Sequence, residues 1–238
     1  MTFVDHFAND HSTDHSTDHP ANSAEDVPTE FNPSAEFHVN EGPRDIALVF
    51  IGDAFVAGYG DPKGLGWVSR VVARTAHPDV DITAYQLGVR DESSADVLAR
   101  WRIECPPRWK DRSEKRLVVA VGHSDAVNGM STARVRLNLA NILDDAAASG
   151  VAAFAVGPPP TLDADLNARL EIVVEAQADV CARRGVPYVN CYRPLIGHEQ
   201  WHSDLGATDG VYPGQAGYGL IAWMVLHGGW DQWLDLGR

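Results

Sequence analysis

Five short apolar runs, at 46–51, 82–87, 117–121, 151–156 and 186–189, recur along this chain with helical patterns between them. Each run is too short for a helix and is rich in Val, Ile or Ala. Most are nearly continuous rather than alternating, as strands covered on both faces should be. The intervening patterns predict helices over 65–76, 93–103, 133–149 and 163–184, with a last helix from near Pro213 through Tyr218 to about His227. Strand–helix alternation predicts a parallel sheet with right-handed crossovers, closed into an α/β three-layer sandwich. Ligands of such sheets sit beyond the carboxyl ends of the strands. Three polar motifs fall there: Gly52-Asp53-Ala54, the stretch 88–94, and Gly122-His123-Ser124-Asp125.

The 238 residues suffice for one such domain of about 200 residues plus a tail. The tail is expected at 1–43 and the domain at 44–238. Residues 1–43 carry nine Asp/Glu, no Lys/Arg and the repeat Asp10-His-Ser-Thr-Asp-His-Ser-Thr-Asp-His-Pro20. Little apolar surface is available there to offset the entropy of ordering, so disorder is expected. Its histidines, His6, His11, His15 and His19, read either as weak ligands for a soft metal or as parts of a solvated tail. Removing nine acidic charges from the net −14 leaves −5 for the remainder. An acidic chain repels a phosphate backbone, so no nucleic-acid partner is expected. No apolar run reaches the ~18 residues of a membrane span, and no basic-then-apolar leader is present. Cys105, Cys181 and Cys191 are odd in number and unclustered, which fits free thiols and a cytoplasmic location. Neither a CxxC nor an HExxH spacing occurs, so no metal and no cofactor are expected. Prolines in Gly157-Pro158-Pro159-Pro160 rule out a phosphate cradle, because they lack the N–H groups one needs.

Four blocks in order carry a family likeness. They are Phe50-Ile-Gly-Asp-Ala-Phe-Val-Ala-Gly-Tyr-Gly-Asp61 with Gly64-Leu-Gly-Trp-Val68; Leu87-Gly-Val-Arg-Asp-Glu-Ser-Ser-Ala-Asp96; Val119-Ala-Val-Gly-His-Ser-Asp125; and Asp209-Gly-Val-Tyr-Pro-Gly-Gln-Ala-Gly-Tyr218. Together they resemble the SGNH (GDSL) hydrolases over about 190 residues. The resemblance implies a five-stranded parallel sheet like that of flavodoxin. It also implies acyl-transfer chemistry: a serine attacks, a histidine three residues after an aspartate takes its proton, and a glycine amide and an asparagine amide stabilise the oxyanion.

Carried over one position at a time, the four family residues all change. The serine falls on Ala54, the glycine on Asp91, the asparagine on Ser124 and the histidine on Tyr212; the orienting aspartate is kept as Asp209. A methyl group cannot attack a carbonyl. A phenol with a pKa of about 10 holds its proton at neutral pH. Asp91 still offers a backbone N–H, although its carboxylate opposes a developing anion. Aspartate is among the few residues that tolerate the backbone of a glycine turn. Four changes together read as natural divergence rather than a single inactivating substitution.

The strand-end surface is then expected to present Asp53, Arg90, Asp91, Glu92, His123, Ser124, Asp125, Asp209 and Tyr212 around Ala54. His123 reads as a relocated acid or base, or as a histidine on the rim. Tyr212 reads as a donor polarising a carbonyl, or as filler for a lost imidazole. Asp53 and Asp125 read mainly as braces of their turns. His202 could bring an imidazole from a loop, and Ser124 with His123 could form a new nucleophile pair. Trp201, Trp223, Trp230 and Trp233 read as core or interface packing. Two function classes follow, with a small-molecule partner and no membrane expected; the first is favoured, because every catalytic position except Ala54 keeps a polar or ionisable group. One is a repurposed enzyme doing acid/base chemistry (cyclisation, condensation, elimination or isomerisation) on a carbonyl-bearing compound. The other is a catalytically silent module that binds a small molecule or a protein. An esterase inactivated at Ala54 is a third possibility.

Overall fold

The computed structural model describes residues 42–237. The reading of 1–43 as an unstructured tail, with its histidines, falls almost wholly outside these residues. Five strands form one parallel sheet: β1 (Arg44–Gly52), β2 (Val80–Gly88), β3 (Glu114–Ala120), β4 (Ala152–Val156) and β5 (Tyr188–Val189). Their order is β2-β1-β3-β4-β5. This is the flavodoxin-like order, whose switch point lies between β1 and β3. The apolar run of β1 occupies a central position, with Ile46 to Ile51 all fully buried. β2 lies at an edge, and its Val-Asp-Ile-Thr-Ala-Tyr-Gln pattern leaves some positions exposed.

Side chains alternate across the sheet and so feed two cores. Ile46, Leu48, Phe50, Val118 and Phe154 point to one face. There they meet α2 (Gly66–Arg74), α8 (Glu199–Gly206), α9 (Gln215–Val225) and α10 (Asp231–Leu234). Ala47, Val49, Ile51, Leu117 and Val119 point to the other, against α3 (Ser94–Glu104), α5 (Thr132–Ala148) and α6 (Ala164–Ala182). The result is the expected three-layer arrangement.

Caps set several boundaries. Asp163 accepts from the Leu166 N–H at 3.0 Å to start α6, and Asp96 accepts from the Ser93 N–H at 2.9 Å to start α3. Asp61 starts α2 from a distance, accepting from the N–H of Gly66 at 3.0 Å and pairing with Arg70 at 2.5 Å.

The four tryptophans divide. Trp201 and Trp230 are fully buried, and the Trp230 indole donates to Thr75 Oγ1 at 3.0 Å. Trp223 is instead 59% exposed and stacks on His227, which leaves, of core or interface packing, only the interface for it. Among the described residues, no helix is long and apolar enough to cross a membrane. Cys105, Cys181 and Cys191 are all free and buried.

Candidate functional site

β1 and β3 approach each other at Gly52 and Ala120, where the chain turns into two short helices, α1 (Ala54–Ala57) and α4 (His123–Val127). The approach requires glycine. A Cβ on Gly52 would stand 1.9 Å from the Ala120 carbonyl oxygen, and one on Gly88 would stand 2.1 Å from the Ala57 nitrogen. Sequence patterns at 3.6-residue period cannot reveal helices of four or five residues, so neither short helix was expected.

Asp53 begins α1, accepting from the Phe55 N–H at 3.0 Å. It is buried, and burial pushes its carboxyl up to about 7, with the Asp125 and Glu92 charges adding to the rise and the Phe55 N–H opposing it. Ala54 follows at the first position of α1 and is 1% exposed. Aromatic rings cluster at the same end of the sheet. Phe55 lies 5.3 Å from His123 and 5.2 Å from Tyr212, and His123 lies 5.7 Å from Tyr212. Tyr59 meets Tyr212 edge-on at 5.0 Å, and the Arg90 guanidinium stacks over Tyr59 at 3.6 Å. The cavity bounded by Asp53, Phe55, Trp67 and the Pro158–Pro159 exit of β4 has a volume of about 10 Å³. That is room for about one water.

His123 is 4% exposed. Burial lowers its pKa to about 4, against the pull of the Asp91 and Asp209 carboxylates. Its imidazole is therefore neutral at neutral pH, and its Nε2 has no hydrogen-bond partner. Ser124 is buried beside it on α4. Asp125 reaches across to α3, accepting from the Ser94 N–H at 2.8 Å.

Asp91 adopts a left-handed backbone, with φ at 63°. It is thus an aspartate in a conformation that favours glycine. Glu92 pairs with Arg100 at 2.6 Å, and Arg100 also donates to the carbonyls of Leu87 at 2.9 Å and Gly52 at 3.2 Å. Arg100 was not anticipated from sequence, because a single arginine on a helix reads as a surface charge.

Asp209 Oδ1 accepts from the N–H of Val211 at 3.0 Å and of Tyr212 at 2.8 Å. Its carboxylate thus braces its own loop. Tyr212 is half-buried; burial, with the Asp53 and Asp91 charges, raises its phenol to about 12. It stays protonated and cannot serve as a base near neutrality. His202 lies on α8, exposed, and not on a loop as the sequence suggested.

Asp53, Ala54, Arg90, Asp91, Glu92, His123, Ser124, Asp209 and Tyr212 therefore gather at one end of the sheet, joined by Phe55 and Tyr59. The two aromatic residues carry no spacing signal that separates a lid from core packing.

Residues 50–220 match the GDSL-like lipase/acylhydrolase family, and the chain belongs to it. Esterase TesA of Pseudomonas aeruginosa is 27% identical over 110 residues, an alignment covering 46% of this chain and 53% of TesA. This chain thus spans about half the length of that curated relative. Among solved structures, TesA superposes with a TM-score of 0.63 at 22% identity, over 77% of this chain and 97% of that one. A lipase/acylhydrolase from Enterococcus faecalis gives 0.63 at 22%, over 78% and 96%. A catalytic mutant of Axe2, an acetylxylan esterase from Geobacillus stearothermophilus, gives 0.64 at 17%, over 79% and 94%. At these identities the likeness is one of fold.

Proposed function

We propose that this chain is a GDSL-like protein that has left serine-dependent ester hydrolysis and is catalytically silent at its strand-end site. The observation that supports this most is the state of Ala54. Its methyl stands where the resemblance places the family nucleophile and is 1% exposed, and the rings of Phe55, His123 and Tyr212 cluster at the same end of the sheet. The base of a serine mechanism is missing, since the phenol of Tyr212, raised to about 12, keeps its proton.

Incubation with a fluorophosphonate probe, followed by intact mass measurement, tests this reading. No adduct is expected. Stoichiometric labelling, at Ser124 above all, would overturn it. Ala54→Ser alone should also leave p-nitrophenyl ester hydrolysis at background, because Tyr212 stands at the position of the family's base and its phenol keeps its proton. A restored esterase would favour simple inactivation at position 54.

One observation favours the acid/base enzyme as a second reading. His123 Nε2 is buried without a partner, with the charges of Asp91 and Asp209 acting on it. In that reading the rings part, and a carbonyl-bearing substrate meets His123 with Asp91 and Tyr212 beside it. General acid–base groups contribute about 10²–10⁴-fold, so Asp91→Ala, His123→Ala or Tyr212→Phe would then cost turnover on that scale.

A further inference from the structure

An open cavity lies at the other end of the sheet. It has a volume of about 600 Å³, within the range of small-molecule sites and far above that of the strand-end cavity. The carboxyl-terminal ends of α3 and α5 and the amino-terminal ends of β3 and β4 line it. Trp101 and Trp109, both buried, contribute to its wall together with Pro106.

Two features bear on what it would hold. First, its charge is opposite to that of the domain. Arg102, Lys110, Arg112 and Lys115 line it against only Asp111 and Asp145, in a domain whose net charge is −5. Arg102 is paired with Asp145, and Arg112 with Asp45. Lys110 and Lys115 make no ion pair among the described residues. Second, its uncharged wall is apolar, with Ala148 and Val151 beside the two tryptophans and Pro106.

We infer that this cavity is a binding site for a small anion with a flat apolar body, an aryl or heteroaryl phosphate or carboxylate. The ammonium groups of Lys110 and Lys115 meet the anionic group, and the apolar body lies against Pro106 and the tryptophan wall. The site does not depend on whether the strand-end residues turn over a substrate.

The test uses the full chain and 2-naphthyl phosphate as probe, with neutral 2-naphthol as its control. Calorimetric titration should give saturable one-to-one binding that weakens with salt and is not shared by 2-naphthol. Lys110→Glu/Lys115→Glu reverses two exposed charges without touching the core and should weaken binding by about tenfold or more. In 15N-edited spectra the indole N–H signals of Trp101 and Trp109, assigned by Trp101→Phe and Trp109→Phe, should move on titration. Absence of saturable binding up to millimolar probe, equal binding of 2-naphthol, or indifference to the charge reversal would each overturn the proposal. So would movement of the Trp67 indole at the strand-end cavity in place of Trp101 and Trp109.

Discussion

His123→Phe removes the titratable ring from the strand-end cluster while keeping an aromatic of similar size. In the folded chain burial lowers the His123 pKa from 6.5 to about 4. Between those values the unfolded chain carries the proton and the folded chain does not. Stability from this group is therefore present above pH 6.5 and is lost as pH falls toward 4. At about 1.4 kcal/mol per pH unit, acidification from pH 7 to pH 5 removes about 2 kcal/mol. Asp53 has the opposite sign. Its carboxyl is raised from 3.8 to about 7, so the folded chain binds a proton that the unfolded chain releases, and stability rises as pH falls from 7 toward 4. The two slopes oppose each other in the wild type, and His123→Phe leaves only the second. Urea denaturation of both proteins at pH 7, 6 and 5 should show the variant gaining about 2 kcal/mol relative to wild type between pH 7 and pH 5, whatever the packing difference at pH 7. A difference between the two proteins that stays constant with pH would refute the assignment of a buried, neutral imidazole.

Arg100→Met should destabilise the domain by about 2–3 kcal/mol by equilibrium denaturation, because it strips the donor from the carbonyls of Gly52 and Leu87 and leaves Glu92 without its partner. Gly52→Ala, which sets a methyl 1.9 Å from the Ala120 carbonyl, should cost more than about 4 kcal/mol or abolish soluble expression, whereas Gly150→Ala, with no atom near its Cβ, should cost only what its left-handed backbone imposes.

The sheet was legible in the sequence because each strand is a short run bounded by polar turns, and burial on both faces demands near-continuous apolar residues. The runs at 46–51 and 117–121 lie within or overlap β1 and β3 for that reason. Strand 186–189 shrinks to Tyr188–Val189, where only two residues pair with β4. The strand-end residues were legible through their motif blocks, but their state was not. Position 123 carries a histidine whose proton affinity depends on the depth at which Phe55 and Tyr212 bury it, and no local pattern records that depth. Asp91 is the converse case. Its left-handed backbone follows from a turn that normally takes glycine, which the sequence alone allowed. The cavity between α3 and α5 left no sequence trace, because its lysines and tryptophans are spread over 101–115 and meet Asp145 and Val151 only through the fold.

The position of the family nucleophile is buried at Ala54, and thiol chemistry there tests this most directly. Cys105, Cys181 and Cys191 are fully buried, and burial raises each thiol to about 12, so the native wild-type chain should react negligibly with iodoacetamide. Ala54→Cys adds one sulfur atom at this 1% exposed position. The new thiol should be alkylated no faster than the wild-type thiols in the native state and fully only after unfolding. Rapid, stoichiometric alkylation at position 54 in the folded protein would show an open site and overturn this reading.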